Sequence, residues 1–229
     1  MMTISLSEVS KRFNRDWIFR HFTYKFNHDH TYAITGPNGS GKSTLLQVIG
    51  GAIALSEGTI RYEIPATEYK AGKKNTKYKI KALEGMTENQ ESNIQHPSGQ
   101  NKNDREVIEI PHDLAFKHIS ITAPYLEVIE EMTAVEFLEF HHKFKPLLPD
   151  CTIQQILSTI GLQKAADKQI RYYSSGMKQR IKLAQAIFSD VPVLLLDEPC
   201  TNLDTTGFEL YHHLIETYCK QKLIVEKGQ

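Results

Sequence analysis

The segment Gly36-Pro37-Asn38-Gly39-Ser40-Gly41-Lys42-Ser43 has the residue types and spacing of a loop that cradles phosphate. Its glycines permit a tight turn in which successive amide hydrogens point inward at anionic oxygens. A helix starting near Lys42 adds the positive end of its dipole. The Lys42 ammonium can reach β- and γ-phosphates, and the Ser43 hydroxyl, followed by Thr44, can ligate Mg²⁺. A second constellation ends the apolar run Val193-Leu194-Leu195-Leu196 with Asp197-Glu198. A parallel strand delivers such carboxylates to the sheet edge where a phosphate loop sits. Asp197 then suits the Mg²⁺ shell, while Glu198 suits orienting and deprotonating an attacking water. Many strands end in solvated acids, so this second motif draws its meaning from the first.

Positioning these groups requires strands before and after them. Thr3, Ile4 and Leu6, and later Trp17 to Phe26, mix β-branched and aromatic residues with polar ones, as half-buried antiparallel strands do. Tyr32 to Thr35 reads as a buried strand feeding Gly36, and Ser43 to Ile49 as the helix that follows, stopped by Gly50-Gly51. Gly58 to Tyr62 reads as a strand, as does Ile119 to Thr122 before Pro124. Helical stretches are expected at Ala134 to Lys143, Thr152 to Ile160, Met177 to Phe188 and Thr206 to Lys220, with a last strand at Leu223 to Val225. Strands alternating with helices make a mostly parallel sheet the natural architecture. The segment 64–110 differs in character, with six lysines between Lys70 and Lys81 and few apolar residues afterwards. It is expected to be a mobile, solvated insertion, because it buries too little apolar surface to offset its ordering entropy.

Composition narrows the function classes. The 229 residues carry 27 Lys+Arg against 27 Asp+Glu. That balance argues against coating nucleic acid, which needs surplus cations to replace counterions, so no nucleic acid partner is expected. The longest stretch free of charged residues, Ser43 to Ser56, is too short for the about 20 apolar residues that cross a bilayer. Three scattered cysteines suggest neither a disulfide framework nor a zinc ribbon, as in a reduced cytoplasmic protein.

The order of the phosphate loop, then Tyr173-Ser174-Ser175-Gly176-Met177-Lys178-Gln179-Arg180, then Leu196-Asp197-Glu198-Pro199-Cys200-Thr201-Asn202-Leu203-Asp204, resembles the ATP-binding cassette (ABC) ATPases. The resemblance covers nearly the whole chain apart from the insertion. It implies an α/β fold of the P-loop NTPase kind: a RecA-like core with a mostly parallel sheet, an N-terminal antiparallel β part, and a helical subdomain at 125–175, all in one domain spanning 1–229. It implies ATP and Mg²⁺ as ligands. Gly36, Asn38, Gly39, Ser40, Gly41, Lys42, Ser43 and Thr44 would surround the phosphates, with Ser43 and Asp197 toward the metal and Glu198 catalytic.

In that family two cassettes pack head to tail, so a homodimer or a paired cassette is implied. Tyr173 to Met177 matches the family's signature motif, with Ser175 where glycine is usual. Ser174 and Gly176, with Ser175 between them, would then contact the nucleotide bound by the opposite protomer, and Asp204 would lie on the loop along the seam. Phe13 matches the aromatic that stacks on adenine, with Trp17 as a rival and core packing as a third role for either.

The sequence departs from the family in two places. Where a glutamine is expected after Ile119 to Thr122, it reads Ala123-Pro124-Tyr125. Where a histidine is expected after the last strand, it reads Glu226-Lys227-Gly228-Gln229, and the usual further strand and helix do not follow. These features imply a weakened or a truncated cassette, and the abrupt charged ending favours truncation.

The leading functional expectation is an ATP-hydrolysing subunit that powers a membrane transporter through separate integral membrane subunits, peripheral on the inner face of the membrane. The helical subdomain would dock on those subunits, and the signature favours export. The alternative is a cassette that closes on ATP and barely hydrolyses it. A soluble ABC ATPase acting on DNA or ribosomes would carry a second cassette, a coiled coil or zinc modules, and none is visible.

Overall fold

Val193–Leu196 (β7) is buried on both faces, and the two faces feed two different cores. Such two-sided burial is the mark of a parallel strand covered by helices. A computed structural model describes residues 1–28, 30–66 and 107–227. Within it β7 lies in a four-stranded parallel sheet of order β3-β8-β7-β6, made of Thr31–Ile34 (β3), Ile119–Thr122 (β6), β7 and Leu223–Lys227 (β8). The second sheet is antiparallel, of order β2-β1-β4-β5, from Thr3–Phe13 (β1), Asp16–Phe26 (β2), Glu57–Pro65 (β4) and Val107–Ile110 (β5). Both sheets follow the sequence expectation of an α/β fold with an N-terminal antiparallel part.

Helix α1 (Lys42–Ile49) packs between the sheets. Its Leu45, Leu46, Val48 and Ile49 join Met2, Ile4, Leu6 and Tyr62 on one side and Val193, Leu195 and Val225 on the other. The Tyr62 hydroxyl donates to the Ile49 carbonyl at 2.9 Å, tying the helix C-terminus to β4. The opposite face of β7 offers Leu194 and Leu196 to a helical core that includes Phe137 and Leu138 of α2 (Ala134–Phe144), Ile156 and Leu157 of α3 (Ile153–Thr159), Ile181 and Ala184 of α4 (Ser175–Ile187), and Leu214 of α5 (Thr205–Tyr218). Thr133 and Thr152 start α2 and α3 with reciprocal capping boxes to Glu136 and Gln155, which fixes where each helix begins.

Two expectations are corrected. The strand before the phosphate loop is not buried: Thr31 and Ala33 are exposed while Tyr32 and Ile34 are half-covered, because among the described residues β3 has a strand neighbour, β8, on one side only. The ends of the segment 64–110 are strands, since Ile64 and Pro65 close β4 and pair antiparallel with Val107 and Ile108 of β5. Residues 67–106, with the lysine cluster, lie outside the described residues.

Candidate functional site

The register of the parallel sheet aligns one edge. Ile34 lies opposite Lys227, Leu196 opposite Glu226, and Thr122 opposite Leu196. The residues that leave these strands therefore meet: the phosphate loop after β3, Asp197 and Glu198 after β7, and Lys227 at the end of β8.

The loop turns through positive φ at Gly36, Gly39 and Gly41. Gly41 is the N-cap of α1 at φ 89°, and a Cβ there would lie 2.6 Å from Ile18 Cγ2, so the position demands glycine twice over. Lys42 is buried and folds back inside the loop, donating to the carbonyls of Gly36 at 2.5 Å and Pro37 at 3.1 Å. Asn38, Gly39, Ser40, Gly41, Lys42, Ser43 and Thr44 line a cavity of about 200 Å³ that Ile18 and Lys227 complete. A larger cavity of about 570 Å³ adjoins it at Asn38 and Lys227 and takes in Glu198, Tyr211, His212 and Glu226.

Asp197 is buried, with its amide donating to the Thr122 carbonyl at 2.9 Å. Its Oδ1 and the neighbouring Thr122 Oγ1 are enclosed without a hydrogen-bond partner among the described residues. The Lys227 ammonium lies 3.2 Å from that Oδ1, within ion-pair range but outside hydrogen-bond alignment. This under-satisfied buried carboxylate oxygen and the Ser43 hydroxyl at the start of α1, each 3.2 Å from the Lys227 ammonium, form a fitting donor set for a hard divalent cation. Among the described residues no group of three His, Cys, Asp or Glu could hold a metal by itself. A Mg²⁺ site completed by phosphate oxygens needs only one or two protein oxygens, and Ser43 and Asp197 meet that need.

Glu198 is half-exposed, with its backbone in the left-handed region at φ 48°. It accepts from Lys227 at 2.5 Å and, weakly, from Thr201 Oγ1 at 3.4 Å. The hydrogen bond and charge of Lys227 hold its carboxyl below the usual range, and the same bond raises the Lys227 ammonium above its own. The sequence expectation gave Lys227 no role. Its local signal was a charge two positions after the apolar run Leu223 to Val225, in the stretch where a histidine was expected.

The remaining predicted residues lie off both cavities. Phe13 is exposed under the Lys11 ammonium, 4.7 Å from its ring. Trp17 is half-buried between Arg12 at 5.3 Å and Arg20 at 4.6 Å, one residue from the cavity wall at Ile18. Ser174 caps α4, accepting from the Met177 amide at 3.2 Å, and is exposed together with Ser175. Gly176 packs close to the Asn202 carbonyl, 3.3 Å from where a Cβ would be. Asp204 caps α5 through the Gly207 amide at 2.8 Å and lies 3.5 Å from Arg180. At the position where the sequence reading expected a glutamine, Pro124 leads into Tyr125. Partial burial pushes the pKa of the Tyr125 phenol up, with Gln47 of α1 opposing and the Asp197 charge adding to the rise. No described helix is long and apolar enough to cross a membrane.

The chain is 28% identical to an uncharacterized ABC transporter ATP-binding protein, YxlF of Bacillus subtilis, over 99% of its own length and 68% of the relative's. It is 26% identical to the cytochrome c biogenesis ATP-binding export protein CcmA of Xylella fastidiosa, over 85% of this chain and 71% of that one. A solved structure of the ATP binding subunit of an ABC transporter superposes with a TM-score of 0.68 at 16% identity, over 99% of this chain and 79% of the other, which speaks for the fold. The family model for ABC transporters matches residues 19–201, from β2 through the loop after Glu198, and the chain belongs to that family as an ATP-binding subunit.

Proposed function

We propose that the chain hydrolyses ATP and so powers a membrane transporter, working in the export direction. The observation that carries this reading is the single sheet edge on which the phosphate loop, Ser43, Asp197 and Glu198 meet. Lys42, now satisfied by two loop carbonyls, exchanges them for phosphate oxygens while the loop amides take the rest of the anionic charge. Ser43 and Asp197 would hold Mg²⁺, which when bound neutralises charge on the phosphates. Glu198 orients a water and accepts its proton, a role open to it because its carboxylate faces the larger cavity.

Ser174 uses its oxygen as a cap acceptor, which leaves its O–H free to donate to a second copy's nucleotide. Its exposure, with that of Ser175, fits a role across a cassette dimer. On α2 the exposed Phe140 and Phe144, with ring centroids 4.9 Å apart, offer an apolar surface for membrane subunits. Export rests on likeness to relatives such as CcmA, whose name states that direction.

A second reading, a cassette that closes on ATP and turns over slowly, is favoured by the Lys227 contact that lowers the basicity of Glu198. Light scattering with ATP tests the shared part. Glu198→Gln should dimerise with ATP and Lys42→Ala should not; dimerisation indifferent to both nucleotide and Lys42 would refute the site.

A further inference from the structure

The Lys227 ammonium sits among three oxygens drawn from two distant segments: Ser43 Oγ at 3.2 Å, Asp197 Oδ1 at 3.2 Å and Glu198 Oε1 at 2.5 Å. This is not an ordinary surface ion pair. The lysine side chain is 15% exposed and that of Asp197 only 2%. A buried carboxylate without a counter-charge is costly, and the ammonium is the only cation that any described contact gives to Asp197. Its backbone is fixed at the end of β8 by pairing with β3, so the tether is short and its reach is defined.

These oxygens are the ones the proposed function assigns to the divalent cation and the catalytic base. An ammonium and a divalent cation cannot share one small oxygen cluster without strong repulsion. We propose that Lys227 is a tethered cation that holds the metal position until a divalent ion enters with the nucleotide and displaces it, so that Lys227 sets the metal affinity of the site. The inference rests on reading Ser43 and Asp197 as metal-facing. Lys227 forms part of the wall of both the phosphate cavity and the adjoining 570 Å³ cavity, which gives the displaced side chain a place to turn into. Lys227 is thus a positioning residue: with the metal absent it keeps Asp197 and Glu198 gathered at the sheet edge, and on displacement it frees Glu198 to act as a base.

The test is Mn²⁺ binding to the ADP-bound chain, followed by the loss of the free-ion electron paramagnetic resonance signal. Lys227→Met should bind Mn²⁺ about ten- to a hundredfold more tightly than the unaltered chain, the range expected for removing a charge-assisted competitor. Asp197→Asn should weaken binding. Weakening by Asp197→Asn with no gain from Lys227→Met overturns the tethered cation and leaves the metal reading standing. Affinity indifferent to Asp197 overturns both. The unaltered chain gives an independent readout that no folding defect can confuse. Acetylation of Lys227 by acetic anhydride, measured by mass spectrometry, should rise several-fold when Mn²⁺ is added to the ADP-bound chain. Unchanged labelling on a chain that binds the ion overturns the proposal.

Discussion

Gly41→Ala probes how tightly the phosphate loop is built, because two separate costs meet at one atom. The residue sits at φ 89°, where an L side chain costs about 1–2 kcal/mol. The added Cβ would also lie 2.6 Å from Ile18 Cγ2 and 3.4 Å from Phe19 Cδ1. Ile18 is β-branched and half-buried, so its methyl cannot swing away freely, and overpacking of this kind costs about 1–3 kcal/mol. Together these give about 2–5 kcal/mol of lost stability, a fall in the unfolding midpoint of about 4–20 °C for a domain of this size. Urea unfolding of Gly41→Ala, Ile18→Ala and the double variant separates the costs. The double variant should recover about 1–3 kcal/mol relative to the sum of the singles, since only the steric part is relieved. ATP affinity should stay weakened in it, because the loop amides remain turned. Additive effects, or a Gly41→Ala chain as stable as the parent, would refute the close approach of β2 to the loop.

Three other outcomes follow from named contacts. Tyr62→Phe removes the donor to the last turn of α1 and leaves the Ile49 carbonyl buried without it, so it should cost about 1–2 kcal/mol in urea unfolding; no loss would mean the bond is idle. Asp204→Ala should cost about 1 kcal/mol through its cap on α5, whereas Arg180→Ala, which removes only a half-exposed pair, should cost less. His141 is held neutral by burial, with Lys145 and His142 adding repulsion, and its pKa is pushed down to about 4. Gln185 donates to its Nδ1 at 3.0 Å, so the ring carries its proton on Nε2 toward Ser189. A folded pKa below the unfolded value of about 6.5 means full stability above pH 6.5 and loss as pH falls toward 4. His141→Gln should show a smaller loss over that interval; an unchanged pH profile would contradict the assignment.

The parts legible in the sequence were those written in contiguous residues. Gly36 to Ser43 and Leu196 to Glu198 carry their own chemistry, and β7 begins and ends where its apolar run does. What escaped depends on pairing between distant segments. β5 is four residues, three of them β-branched aliphatics, but so short a run at the end of a long polar segment was read as part of that segment, and its place as a strand comes from pairing with β4. The half-exposure of β3 reflects its place at the edge of the sheet among the described residues, which its four residues do not encode. Asp204 carries local work as a helix cap that a motif match passes over. Lys227 was invisible as a site residue because its partners lie 184 and 29 positions away, brought together only by parallel register.

Steady-state phosphate release from ATP, comparing the unaltered chain with Glu198→Gln, tests the central claim that this sheet edge is a hydrolytic site. Release that falls by about a hundredfold or more in the variant, with ATP still bound, is the outcome predicted for a lost general base. Equal release from both chains would contradict it.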